Sequence, residues 1–81
     1  MISGNQLRAA RTLLSWDQLK LASTSGVAVN TIRRMEAQEG FVRANTDTIR
    51  RVIEALEEAG IIFLYPDDLG DVGVRLKKQE T

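Results

Sequence analysis

The chain reads as a mainly α domain in which four helices are followed by a C-terminal β-hairpin. Three observations predict this. Apolar residues recur at helical spacing in four separate stretches between residues 3 and 59. Capping residues and glycines punctuate those stretches. After Gly60 the chain turns β-branched and aromatic, and then alternates with period two. Eighty-one residues make one domain with a modest core, divided into a helical part over 1–60 and a hairpin tail over 61–81.

Helix 1 has a clear start signal. Ser3 and Gln6 have the S-x-x-Q spacing of a capping box, and Ile2 and Leu7 stand at the two ends of a hydrophobic staple. Leu7, Ala10 and Leu14, with Leu13 beside them, form its apolar stripe. Ser15-Trp16-Asp17 breaks the pattern. Trp16 falls where helices 1 and 2 meet, which suits a core residue better than a ligand contact. Asp17 is a good N-cap for helix 2, expected over 18–23. Thr24-Ser25-Gly26 is the expected turn, because Gly26 enters a left-handed conformation at little cost.

Helix 3 is expected over 29–37, with Ile32 and Met35 inward and Val29, Asn30, Arg33 and Arg34 outward. Across 18–36, QLKLASTSGVAVNTIRRME, the apolar residues Leu21, Val27, Ile32 and Met35 are spaced by small Ala22 and Gly26. This is the pattern of a helix-turn-helix, whose second helix can enter the major groove of DNA. Residues 38–45 read as a loop around Gly40. Asn45 or Thr46 caps helix 4, which runs to about residue 59 with Ile49, Val52, Ile53 and Leu56 inward and Gly60 as terminator. One strand is expected over 61–65, ended by Pro66, and a second over 72–77, with a turn-rich stretch at 67–71 between them.

Net charge is zero, but it is unevenly spread. Residues 1–51 hold eight basic and four acidic side chains, a net +4, and residues 52–81 a net −4. Such a split suits one face for a polyanion and a separate acidic end, although chance segregation of surface charge gives the same count. The chain has no Cys and no His, so it offers no disulfide, no thiolate zinc site and no imidazole base. It also has no glycine-rich phosphate loop. An enzyme, a metal or a cofactor is therefore not expected. Glu54, Glu57 and Glu58 suit a solvated helix face, and Asp67, Asp68 and Asp71 lack the spacing of a calcium loop. No apolar run approaches the ~20 residues that span a bilayer, and the N-terminus lacks the regions of a signal peptide. A cytoplasmic protein without a membrane partner is the expectation.

With the elements placed, the chain resembles the Cro/repressor-type (XRE-like) helix-turn-helix regulators of bacteria and phages. The matching words are QLRAARTLLSWDQLKLA (6–22), SGVAVNTIRRME (25–36) and VRANTDTIRRVIEALEEAG (42–60), about two-thirds of the chain. The hairpin, with G-x-x-F near its start and GVRL near its end, is similar to that of small single-domain members. The resemblance implies a lambda-repressor-like four-helix DNA-binding domain. It implies that Gln18 touches the DNA backbone and sometimes a base. It makes Ala28, Val29, Asn30 and Thr31 the exposed opening of a recognition helix, with Arg34 a base reader one turn on and Arg33 its neighbour. It makes residues 40–43, Arg43 included, a phosphate-contacting loop. It also pairs Arg11 with Glu36 between helix 1 and the end of helix 3. The chain departs from the family pattern in three places: Ser25 for the usual Ala, Val29 for a long polar reader, and Phe41 for a frequent Pro.

The residue chemistry agrees with those roles. Arg matches guanine O6 and N7, and Asn matches adenine N6 and N7. Asn30 and Arg34 lie four apart on one helix face and are the expected base readers. Lys20, Arg33 and Arg43 suit phosphates, as do the opening of helix 4 and the hydroxyls of Thr46 and Thr48. Arg33-Arg34 also suits a plain solvated face, and Arg50 is placed to pair with Glu54. The expected partners are double-stranded DNA and a second copy of the chain, because two recognition helices about 34 Å apart read a palindrome. The hairpin and the end of helix 4 would join the copies, unless the hairpin only caps its own domain. The leading expectation is a repressor. An antitoxin with a toxin partner and a protein-interaction module that has lost DNA binding are the alternatives.

Overall fold

A computed structural model describes residues 1–78. It is a small, mainly helical domain of four helices and one antiparallel hairpin: α1 Gly4–Leu14, α2 Gln18–Ser25, α3 Val29–Ala37, α4 Thr46–Glu58, β1 Ile61–Leu64 and β2 Gly73–Leu76. The last part of the expected tail, residues 79–81, lies outside the described residues.

The capping box of α1 is complete. Ser3 Oγ accepts from the Gln6 N–H at 3.0 Å, and Gln6 Oε1 accepts from the Ser3 N–H at 2.8 Å. Ile2 and Leu7, the staple positions, are both fully buried. The helix ends in a Schellman turn, with Trp16 N–H donating to Arg11 O and Ser15 N–H to Thr12 O. Ser15 occupies the left-handed position of that turn at φ 57°, where glycine is usual. Asp17 caps α2 by accepting from the Lys20 N–H at 2.7 Å.

Several boundaries differ from expectation. The second helix continues to Ser25 rather than stopping at residue 23, and Gly26 alone takes the left-handed turn at φ 75°. Ser25 explains this: its Oγ donates to Ala22 O and accepts from the Val27 N–H, so the helix end is held by its own side chain. The strands are also shorter. Tyr65 falls beyond β1, and Val72 and Lys77 flank β2. Lys77 N–H still donates to Gly60 O at 2.7 Å, one step past the Ile61–Leu76 pair. At α4, Asn45 rather than Thr46 is the cap, its Oδ1 accepting from the Asp47 N–H.

The helices enclose one core. Ile2, Leu7, Leu21, Ile32, Met35, Val52 and Leu56 are its fully buried side chains, joined by Val42, Ile61 and Phe63. In this core α1 meets α3 and β2, α2 meets α3 and α4, and α4 meets β1. Ile61 and Phe63 point inward, whereas Ile62 and Leu64 face out, as alternation along a strand requires. No helix among the described residues is long and apolar enough to cross a membrane.

Two ties were not expected. Gln6 is buried, and its Nε2 donates to Leu64 O at 3.1 Å and Gly73 O at 3.0 Å, so the capping-box glutamine also clips both strands. The loop after α3 is pinned to the N-terminus. Ser3 and Phe41 form a β-bridge, and Val42 N–H donates to Ile2 O at 2.8 Å. The start of α1 thus abuts the carbonyl end of α3, where opposite helix-end charges attract. A Cβ on Gly4 would lie 2.8 Å from Gln38 O and 2.9 Å from the Glu36 and Met35 oxygens.

Gly4→Ala is accordingly expected to destabilise the fold by about 1–3 kcal/mol, the usual cost of overpacking. Ser15→Gly is expected to do the opposite, by up to about 1 kcal/mol, since it removes left-handed strain. Urea unfolding of both variants checks the two signs.

Candidate nucleic-acid interface

The site is built outward from one ion pair. Arg11 on α1 and Glu36 on α3 meet in a bidentate bridge, Nε to Oε2 at 2.6 Å and Nη2 to Oε1 at 2.7 Å. The Glu36 side chain is 3% exposed and that of Arg11 17%. Arg11 Nη1 also donates to Trp16 O at 3.0 Å. Its hydrogen bond to Glu36 holds the guanidinium above its ordinary value, so the positive charge persists at every accessible pH. This is the pair that the family resemblance implies.

A chain of polar contacts leads from that pair to the surface. Gln18, at the start of α2, donates through Nε2 to Glu36 Oε1 at 3.1 Å. Its Oε1 accepts from Arg33 Nε at 3.3 Å, and Arg33 Nη1 donates to Asn30 Oδ1 at 3.2 Å. Asn30, Arg33 and Arg34 are all exposed on α3. Arg34 leans the other way, with Nη2 donating to Thr31 Oγ1 at 3.3 Å. Gly26, left-handed between α2 and α3, sets the angle at which this face is presented.

Thr31 and Arg34 also line a groove of about 400 Å³ with Gln38, Arg43, Asn45 and Thr48. Arg43 is held there by a clamp that sequence reading missed. Gln38 Oε1 accepts from the Arg43 N–H at 2.7 Å, and Gln38 Nε2 donates to Arg43 O at 3.1 Å. A glutamine just past a helix end gives no periodic signal, and only the loop's return path reveals its role. The capped start of α4 closes the groove.

The remaining expected residues are more dispersed. Ala28 is exposed and leaves α3 without a side-chain cap. Val29 is half-buried rather than outward. Thr46 is exposed at the first position of α4 but does not line the groove. Lys20 carries its ammonium 5.7 Å from the centre of the Trp16 ring, and Trp16 is half-buried against the core.

Charge pairing sharpens the basic half. Arg50 bridges Asp47 and Glu54, and Arg51 pairs with Asp47 at 2.9 Å, so α4 neutralises its own arginines. Lys20, Arg33, Arg34 and Arg43, all exposed, form no salt bridge among the described residues. The face therefore offers cationic forks and amide groups, the chemistry that meets phosphates and base edges. No group of three or more His, Cys, Asp or Glu side chains among the described residues is placed to hold a metal ion. No protein-family model matches the chain, and no curated protein matches it either.

Removing Glu36 strands the Arg11 charge. Glu36→Ala is expected to cost about 2–4 kcal/mol, slightly below the usual range for a broken buried pair because Arg11 keeps some solvent. Chemical denaturation measures this. A second outcome concerns acid. The Arg50 hydrogen bond holds the Asp47 carboxyl below its ordinary value. Its contribution is present above the unfolded carboxylate range and is lost as pH falls through the lower, folded value. A stability profile of Asp47→Asn against the parent should show a constant gap at neutral pH that closes in acid.

Proposed function

We propose that the protein is a Cro/repressor-type (XRE-like) DNA-binding regulator with a lambda-repressor-like fold. It acts as a repressor by occupying a palindromic operator as a dimer. The observation that carries this is the pairing of α2 and α3 through the single left-handed Gly26, with Asn30, Arg33 and Arg34 exposed on α3. Two further observations agree with it. The Arg11–Glu36 bridge occurs at the positions the family resemblance implies. Arg34 and Arg43 share a groove with the start of α4, where a phosphate would meet two guanidinium groups and a helix N-terminus.

In this role α3 enters the major groove. Arg34 reads guanine and Asn30 reads adenine, each worth about 1–3 kcal/mol of discrimination. Arg33, Arg43 and Lys20 meet phosphates, with Gln18 and the hydroxyl of Thr46 beside them. The second copy docks on the outer hairpin face, where Ile62 and Leu64 are 40% and 39% exposed. The same apolar face also suits a toxin, which keeps an autoregulating antitoxin as the second reading.

Selection from a random duplex pool is expected to enrich a palindrome, and Asn30→Ala with Arg34→Ala to abolish the enrichment. Binding should weaken with salt, and each phosphate contact removed should lower the log–log slope by about 0.9. Unchanged affinity in the double variant sinks the assignment of α3. A clean monomer in sedimentation at high concentration, with binding intact, sinks the dimer.

A further inference from the structure

The amide of Gln18 has only one workable orientation. On one side stands the Glu36 carboxylate, which accepts hydrogen bonds only. On the other stands the Arg33 guanidinium, which donates only. The Gln18 nitrogen must therefore face Glu36 and its oxygen must face Arg33, because the reverse places like groups against each other at both ends. Glu36 cannot turn away, since Arg11 holds both of its oxygens. The order imposed by the buried ion pair is thus passed to Gln18, and from Gln18 to Arg33.

Arg33 passes it on once more. With Nε committed to Gln18, its Nη1 reaches Asn30 Oδ1. That contact points the Asn30 oxygen toward Arg33 and leaves its Nδ2 donor on the other side. Reading adenine needs the asparagine oxygen and nitrogen in a defined order. We propose that Arg33 is a positioning residue, anchored through Gln18 to the Arg11–Glu36 bridge, that fixes the amide of Asn30 for base reading. This rests on the DNA-binding role proposed above. It adds that Gln18 and Asn30 form one coupled unit joined by Arg33.

Lysine at position 33 keeps the charge but lacks the planar fork that joins two amides. Arg33→Lys and Gln18→Met are therefore the informative variants, measured in two ways. In the free protein, the side-chain nitrogen spectrum should show the Arg33 Nε–H protected from exchange, and Gln18→Met should remove that protection. On DNA, base preferences should be measured position by position. Arg33→Lys is expected to reduce the preference at the adenine read by Asn30 by roughly tenfold while leaving the preference read by Arg34 in place. The Gln18→Met and Asn30→Ala losses at that base should also fall well short of additive.

A palindrome selected by the parent but retained in full by Arg33→Lys overturns the positioning role and leaves the DNA-binding role standing. An Arg33 Nε–H that exchanges equally fast with and without Gln18 overturns it as well. Failure of the parent to select any sequence overturns both.

Discussion

The Arg11–Glu36 bridge is the constraint on which the other contacts of this face depend. It takes two charges out of water and brings them together across the α1–α3 contact. Such a pair is a weak source of net stability, because desolvation offsets most of the attraction. It is a strong source of order. Both carboxylate oxygens are used, the third guanidinium nitrogen meets Trp16 O, and Gln18 adds a further donor to the carboxylate. Three helices are thereby registered against one another by groups that tolerate little displacement. An apolar contact of the same area would allow α3 to slide or rotate. Under the role proposed for α3, a surface that meets base edges cannot tolerate that.

A second set of ties serves the N-terminal end of α1. The N-terminal residues are the common edge of the domain. Ser3 and Gln6 cap the helix, Ile2 pairs with the loop through Val42, and the Gln6 amide holds the hairpin. Gly4 allows this crowding, because only a residue without a side chain brings α1 so close to the carbonyls ending α3. The helical part and the hairpin therefore share an anchor and do not merely lie side by side. The hairpin, too small to hold its shape alone, gains from this anchor the support that a third strand gives elsewhere.

Much of the architecture was legible because it is written locally. Ser3 with Gln6, Asp17, and Ile32 with Met35 declare a helix start, a cap and a buried face within a few residues. The end of α2 was less legible, since Thr24 and Ser25 suit a turn by composition and the self-bonding of Ser25 depends on its rotamer. The roles of Gly4, Gln38 and Val42 were not legible at all. Gly4 and Val42 answer to segments distant in sequence and Gln38 to the path of the loop that follows it, and nothing in the local pattern marks any of the three. Within the site, the identities of Asn30, Arg33 and Arg34 came from position on a helix. Their linkage did not. That Arg33 reaches Gln18 as well as Asn30, its neighbour three residues back, follows only from the packing of α2 on α3. Val29 shows the converse, a position outward by periodicity that is half-buried in the fold.

The clip made by Gln6 also bears on the order in which the chain assembles. Its amide meets partners 58 and 67 residues further along, so its buried donors have no place to go until both strands exist. On a ribosome, the four helices emerge and begin to pack while this glutamine still competes for water. Both strands follow every helix in the chain, so this seam between α1 and the hairpin is the part of the domain that translation completes last among the described elements.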